Sequence, residues 1–158
     1  MSVLTTEVSR RSAGSYIEYR GTSMFRQVVL VVDDDTDMLT LLNTMLRRKG
    51  YVVMRASSAE LALHLVKSFM PNLFVVDLLM PDMNGFELCE RIRSIPHTAK
   101  VPIIILTALN TMKSRQQAID VGANAYVTKE NISNDLASEI QRLLCNGNGQ
   151  AKPGTNQA

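Results

Sequence analysis

The stretch Leu73–Gly85, LFVVDLLMPDMNG, decides how the rest of the chain is read. Its first four residues form a continuous apolar run, the pattern of a strand buried on both faces of a parallel sheet. Asp77 follows at once, and Pro81 and Gly85 then punctuate the chain before a new apolar period begins. A carboxylate at the end of such a strand matters, because parallel strands finish side by side along one edge of their sheet.

The same signature recurs on either side. VVLVV runs into Asp33, Asp34 and Asp35, VPIIIL runs into Thr107, and AYVT runs into Lys129. Strands are expected at Val28–Val32, Tyr51–Met54, Leu73–Val76, Val101–Leu106 and Ala125–Val127. Helical periods separate them. The first carries Met38, Leu41, Leu42, Met45 and Leu46 and ends in RRKG, where basic residues and Gly50 suit a helix C-terminus. A second, capped by Ser57 or Ser58, carries Leu61, Leu65 and Val66 and stops before Pro71. A third carries Phe86, Leu88, Cys89 and Ile92 and stops at Pro96. A fourth runs from Met112 to Val121 and ends at Gly122. A fifth starts near Ser133 and carries Leu136, Ile140, Leu143 and Leu144. Strict alternation of five strands and five helices predicts an α/β fold, a five-stranded parallel sheet in a three-layer α/β/α sandwich.

With 158 residues, 46% of them hydrophobic, the chain suits one globular domain. Three segments are expected: an N-terminal extension, 1–24, a folded domain, 25–145, and a Gly-, Asn- and Gln-rich flexible tail, 146–158. No apolar run reaches the ~20 residues of a membrane span, and the N-terminus lacks a secretory signal, so a cytoplasmic location is expected. Between Phe25 and Cys145 there are 13 basic and 13 acidic residues, so the core has no electrostatic footprint for nucleic acid. Cys89 and Cys145 lack metal-binding spacing and sit at apolar helical positions, which predicts core-facing thiols. His64 and His97 lack any catalytic context and are expected at the surface or its boundary.

Gathered at one sheet edge, Asp33, Asp34, Asp77, Thr107 and Lys129 make a site for a cation and a phosphoryl group. Three close carboxylates cannot all ionise without compensation. Oxygen-only donors select Mg²⁺ or Mn²⁺, and the absence of His and Cys argues against zinc. One carboxylate, Asp77 at the end of the middle strand, can then attack phosphorus, with Lys129 sharing the charge on the transferring oxygens. Each part also has an ordinary use. An acidic triplet often balances a helix dipole, as Asp35 or Asp37 can here, while a lone threonine caps a strand end and a lone lysine is solvated. The joint placement of all five is what carries the chemistry.

These motifs closely resemble the receiver domain of two-component response regulators, over residues 25–145. The resemblance rests on VVDDD, on D-L-x-M-P-x-M-N-G from Asp77 to Gly85, on IIILTA ending in Thr107 and Ala108, and on GANAYVTK ending in Lys129. It implies a flavodoxin-like strand order, 2-1-3-4-5. It also implies that Asp77 receives a phosphoryl group from a histidine kinase or histidine phosphotransfer protein. Asp33, Asp34, Asp77 and the Leu79 carbonyl would hold Mg²⁺. Thr107, the Ala108 backbone and Lys129 would bind the phosphoryl group, and Thr107 and Tyr126 would move as a switch pair. The type implied is a stand-alone, chemotaxis-regulator-like receiver that signals to a downstream protein of unknown identity, with homodimerisation on phosphorylation left open.

One departure stands out. Glu130 follows Lys129 where the family has proline, so a trans peptide or a rearranged loop is expected there, with Glu130 available to pair with Lys129. Met112, Lys113, Arg115 and Gln116 are candidates for an output face beside Tyr126. Two other functions compete with the switch. An aspartyl-phosphate phosphohydrolase would have a second aspartate two residues after the nucleophile, where this chain has Leu79. Leu79 and Leu109 also provide no general base. A phosphorylation-independent scaffold draws its support from Glu130 alone.

Overall fold

The computed structural model describes residues 26–146. The extension expected over 1–24, and all but Asn146 of the expected tail, lie outside the described residues. The elements alternate along the chain: β1 (Val28–Val32), α1 (Thr36–Arg48), β2 (Val52–Ala56), α2 (Ala59–Leu65), β3 (Leu73–Val76), α3 (Gly85–Ser94), β4 (Ile103–Thr107), α4 (Met112–Asp120), β5 (Ala125–Thr128) and α5 (Ala137–Asn146). A 3₁₀ turn (Lys129–Asn131) and a π turn (Ile132–Leu136) lead into α5. All strands pair in parallel in the order β2-β1-β3-β4-β5, the flavodoxin-like arrangement. β3 is therefore the middle strand.

The sheet is coated on both faces, which explains why its strands carry no polar alternation. Val29, Val31, Leu73, Val75, Ile104 and Leu106 pack toward α1 and α5. Leu30, Val32, Phe74, Val76, Ile103 and Ile105 pack toward α2, α3 and α4. Full burial of each such side chain contributes roughly 1.5–3 kcal/mol. The edge strand β2 is less buried and turns Arg55 to solvent, which guards an open edge.

Helix ends follow local chemistry. Asp35 caps α1 by accepting the backbone N–H groups of Asp37 and Met38. At the other end Gly50, at φ +94°, donates to the Arg47 carbonyl while Tyr51 donates to that of Leu46. That left-handed exit closes the helix with a Schellman pair, and any residue with a Cβ would be strained there. Ser58, Asn84 and Thr111 cap α2, α3 and α4 through their side-chain oxygens.

Several boundaries and faces differ from expectation. β2 starts one residue later and continues through Arg55 to Ala56, because Ala56 pairs with Val32 and is fully buried. β4 starts at Ile103, since Pro102 has no N–H for the ladder, and it extends to Thr107, which pairs with Thr128. In α1 the stripe passes through Leu39, leaving Leu41 44% exposed. In α2 the small residues Ala59 and Ala62 face the sheet with Val66, while Leu61 is exposed, and the helix ends at Leu65, well before Pro71. α5 proper begins at Ala137, although Leu136 and Ile140 are fully buried as expected. Cys89 is buried, and burial pushes its thiol up to about 12. Cys145, expected in the core, is exposed, one residue from the end of α5.

At the edge where the strands begin, Arg93 of α3 holds the chain together. Its guanidinium donates to the carbonyls of Ala99, Val101 and Gly122 and to the side chain of Asn124, at 2.6–3.1 Å. Asn124 in turn accepts the Ile103 N–H at 2.8 Å. Among the described residues no helix is long and apolar enough to cross a membrane.

Candidate functional site

Two strand ends fix the carboxylates. Asp33 follows β1 and donates its N–H to the Ala56 carbonyl at 3.1 Å; Asp77 follows β3 and donates to the Val32 carbonyl at 3.0 Å. Each main chain is thus held by the strand beside it, and both side chains are buried. Asp34 is exposed, yet one carboxylate oxygen from each of Asp33, Asp34 and Asp77 lies within 4.8 Å of the others. Gly85, first residue of α3, makes this packing possible. It donates to the Leu78 carbonyl, and a Cβ there would run into the Asp77 carbonyl oxygen and come within 2.9 Å of the Leu78 Cα.

Lys129 bridges the two buried acids. Its Nζ lies 2.8 Å from Asp33 Oδ2 and 3.2 Å from Asp77 Oδ2. The other oxygen of each acid accepts a backbone N–H, from Asp35 at 2.9 Å and from Leu79 at 3.2 Å. Burial, and then the charge of Asp33, raise the Asp77 pKa, and Lys129 with the Leu79 N–H offsets this only in part. For Lys129, burial works to lower the pKa, but the hydrogen bond to Asp33 and the charges of Asp77 and Asp33 together raise it. The pairing of Lys129 with Glu130 does not form. Adjacent residues on the 3₁₀ turn point apart, so Glu130 is exposed while Lys129 reaches inward to stronger partners. The intervening peptide is trans, like every other among the described residues.

Thr107 closes β4 fully buried, and its Oγ1 accepts the Leu109 N–H at 3.3 Å. Tyr126, on β5, reaches the same loop from the other side and donates to the Leu109 carbonyl at 2.9 Å. Leu79, beside Asp77, and Leu109, beside Thr107, are both exposed, 54% and 36%. All the expected site residues therefore gather on the edge where the strands end. His64 and His97 stay away from it, and His97 Nε2 lies 2.8 Å from the Val66 carbonyl. Sequence reading missed Ser114, a buried hydroxyl on α4 within 2.8 Å of the Tyr126 hydroxyl, and Thr128, whose Oγ1 accepts from Asn131. The spacing of Thr111 and Ser114, a cap and the third residue after it, is the signal that would have pointed to the first.

Residues 29–141 match the family model described as the response regulator receiver domain. The chain belongs to that family. An uncharacterized 14.6 kDa protein of Leptolyngbya boryana is 45% identical over 101 residues, spanning 64% of this receiver chain and 77% of that protein. A probable transcriptional regulator, ycf27, of Guillardia theta is 36% identical over 119 residues, 75% of this chain and 46% of the regulator, so the receiver chain spans less than half of that relative. The solved chemotaxis protein CheY4 of Vibrio cholerae superposes with a TM-score of 0.72 at 28% identity, covering 75% of this chain and 99% of that one.

Proposed function

We propose that this receiver is a phosphorylation-dependent signalling switch that accepts a phosphoryl group on Asp77. The observation that carries the reading is the buried pair Asp33 and Asp77, bridged by Lys129, with Asp34 alongside. An Asp77 carboxylate oxygen attacks phosphorus of a phosphohistidine donor on a histidine kinase or phosphotransfer protein. The P–N bond breaks, the imidazole leaves, and an acyl phosphate forms.

The donor set fits Mg²⁺: three carboxylates with oxygens close enough to share one hard cation. Asp33, Asp34, Asp77 and the Leu79 carbonyl would hold the ion, which when bound neutralises charge on the transferring oxygens. Lys129, the Thr107 hydroxyl and the Ala108 backbone would take the phosphoryl oxygens. Thr107 keeps its own proton for that purpose, because its oxygen accepts from Leu109. Leu79 and Leu109 offer no general base to activate water, which favours a lasting adduct over turnover. The signal then passes, in the cytoplasm, to a partner protein that distinguishes the two states.

Incubation with Mg²⁺ and acetyl phosphate tests this. Intact-mass measurement should show one phosphoryl adduct, lost in Asp77→Asn and on treatment with hydroxylamine. A wild-type chain that takes no phosphoryl group would overturn the reading.

A further inference from the structure

We propose that Ser114 and Arg115, in the first turn of α4, are positioning residues that latch Tyr126 and thereby set the loop between Thr107 and α4. The proposal goes beyond the switch function but rests on it for the link to phosphoryl uptake.

Ser114 is a buried polar residue, and its Oγ meets three oxygens. It lies 2.8 Å from the Tyr126 hydroxyl, 2.8 Å from Thr111 Oγ1 and 2.9 Å from the Thr111 carbonyl. Thr111, Ser114 and Tyr126 each have one hydroxyl proton. With Tyr126 donating to the Leu109 carbonyl, the single Ser114 proton goes either to the Thr111 carbonyl or to the Tyr126 oxygen, and in the second arrangement the bonds run in one direction: Thr111 to Ser114, Ser114 to Tyr126, and Tyr126 to Leu109. Hydrogen bonds aligned in this way polarise and strengthen one another. The chain ends on the Leu109 peptide, whose N–H is the group bound to Thr107. Leu109 therefore transmits between Thr107 and Tyr126, and Ser114 anchors the far end.

Arg115 holds the same tyrosine from a second direction. Its guanidinium carbon lies 4.6 Å from the Tyr126 ring centroid, a cation–π distance. It also donates to Asn110 Oδ1 at 3.0 and 3.3 Å. Leu109, Asn110 and Thr111 are thus each tied to Ser114, Arg115 or Tyr126. Capping of α4 needs only Thr111 and the Ser114 N–H; the ties to Tyr126 cross from α4 to β5 and serve no helix end.

The test labels the full chain with 3-fluorotyrosine and assigns the Tyr126 resonance through Tyr126→Phe. Without any phosphoryl donor, Ser114→Ala and Arg115→Gln should shift or broaden that resonance, and Ser114→Thr, which keeps the hydroxyl, should restore it. Thermal melting confirms that each variant is folded. With acetyl phosphate and Mg²⁺, Ser114→Ala should slow adduct formation about five-fold, the scale of one hydrogen bond. Adding Ser114→Ala to Tyr126→Phe should slow it no further, because the latch is already open. A Tyr126 resonance unchanged in both Ser114→Ala and Arg115→Gln, or additive effects in the double variant, would overturn the latch. Failure of the wild type to take phosphate would instead defeat the proposed function, and the fluorine shifts would still decide the latch.

Discussion

Lys129 touches Asp33 and Asp77 at once, and this sets the charge balance of the whole edge. One ammonium bridges two buried acids, and a third, exposed acid has an oxygen within 4.8 Å of theirs, so a single positive charge stands against three carboxylates. The Asp77 pKa is raised, first by burial and then by the charge of Asp33. The folded chain therefore holds a proton on Asp77 more tightly than the unfolded chain does. Stability falls as pH rises through the window from the ordinary aspartate value, 3.8, up to the raised one, and the loss is complete above it. Lys129, with its own pKa raised, stays protonated across that window and does not disturb the comparison. In the absence of divalent cations, Asp77→Asn is expected to be more stable than wild type at pH 7, with the gain shrinking as pH falls toward 4. Urea titrations at several pH values check this; parallel profiles for the two chains would contradict it. Asp33, Asp34, Asp77, Thr107 and Lys129 were legible because each lies at or just after the end of an apolar run. The bridge itself was not, since whether Lys129 turns to Glu130 or to the acids depends on the 3₁₀ turn that follows β5.

The elements were readable to the extent that burial is uniform. β1 and β3, covered on both faces, match their apolar runs, and parallel order followed from alternation with helices. Edges were harder. On β2, Arg55 looks like an end but is only the solvent face of an edge strand. Helix faces were misread where alanine does the packing: Ala59 and Ala62 lie in the core against the sheet and Leu61 outside. Caps were more reliable, since they depend on one side chain and its immediate neighbours. Asp35 takes two N–H groups of α1, so Asp35→Ala should destabilise the chain by about 1 kcal/mol, with Asp35→Asn nearly neutral. Thermal unfolding would measure both. Glycine at position 85 is a stricter case, because α3 starts directly against the Asp77 main chain. Gly85→Ala should move the acceptor strand end and cut acetyl phosphate adduct formation by an order of magnitude, while α3 itself still forms; mass measurement and circular dichroism would separate the two effects.

At the scale of the molecule, the sheet has two unlike ends. Where the strands finish, acids, a lysine and a loop tied through Tyr126 meet in groups that can exchange partners. Where they begin, Arg93 ties α3 to the two segments that lead into β4 and β5, with no ionised partner among the described residues to titrate away. Its planar fork matches these acceptors in a way a lysine ammonium cannot. In Arg93→Lys, amide hydrogens at Ile103 and Asn124 should exchange with solvent faster, while those of Asp33 and Asp77 keep their wild-type protection. Uniform acceleration across the sheet would show instead that Arg93 supports only global stability. Rearrangement of one end thus has a fixed support at the other, much as a tuning fork vibrates at its tines while its stem stays still.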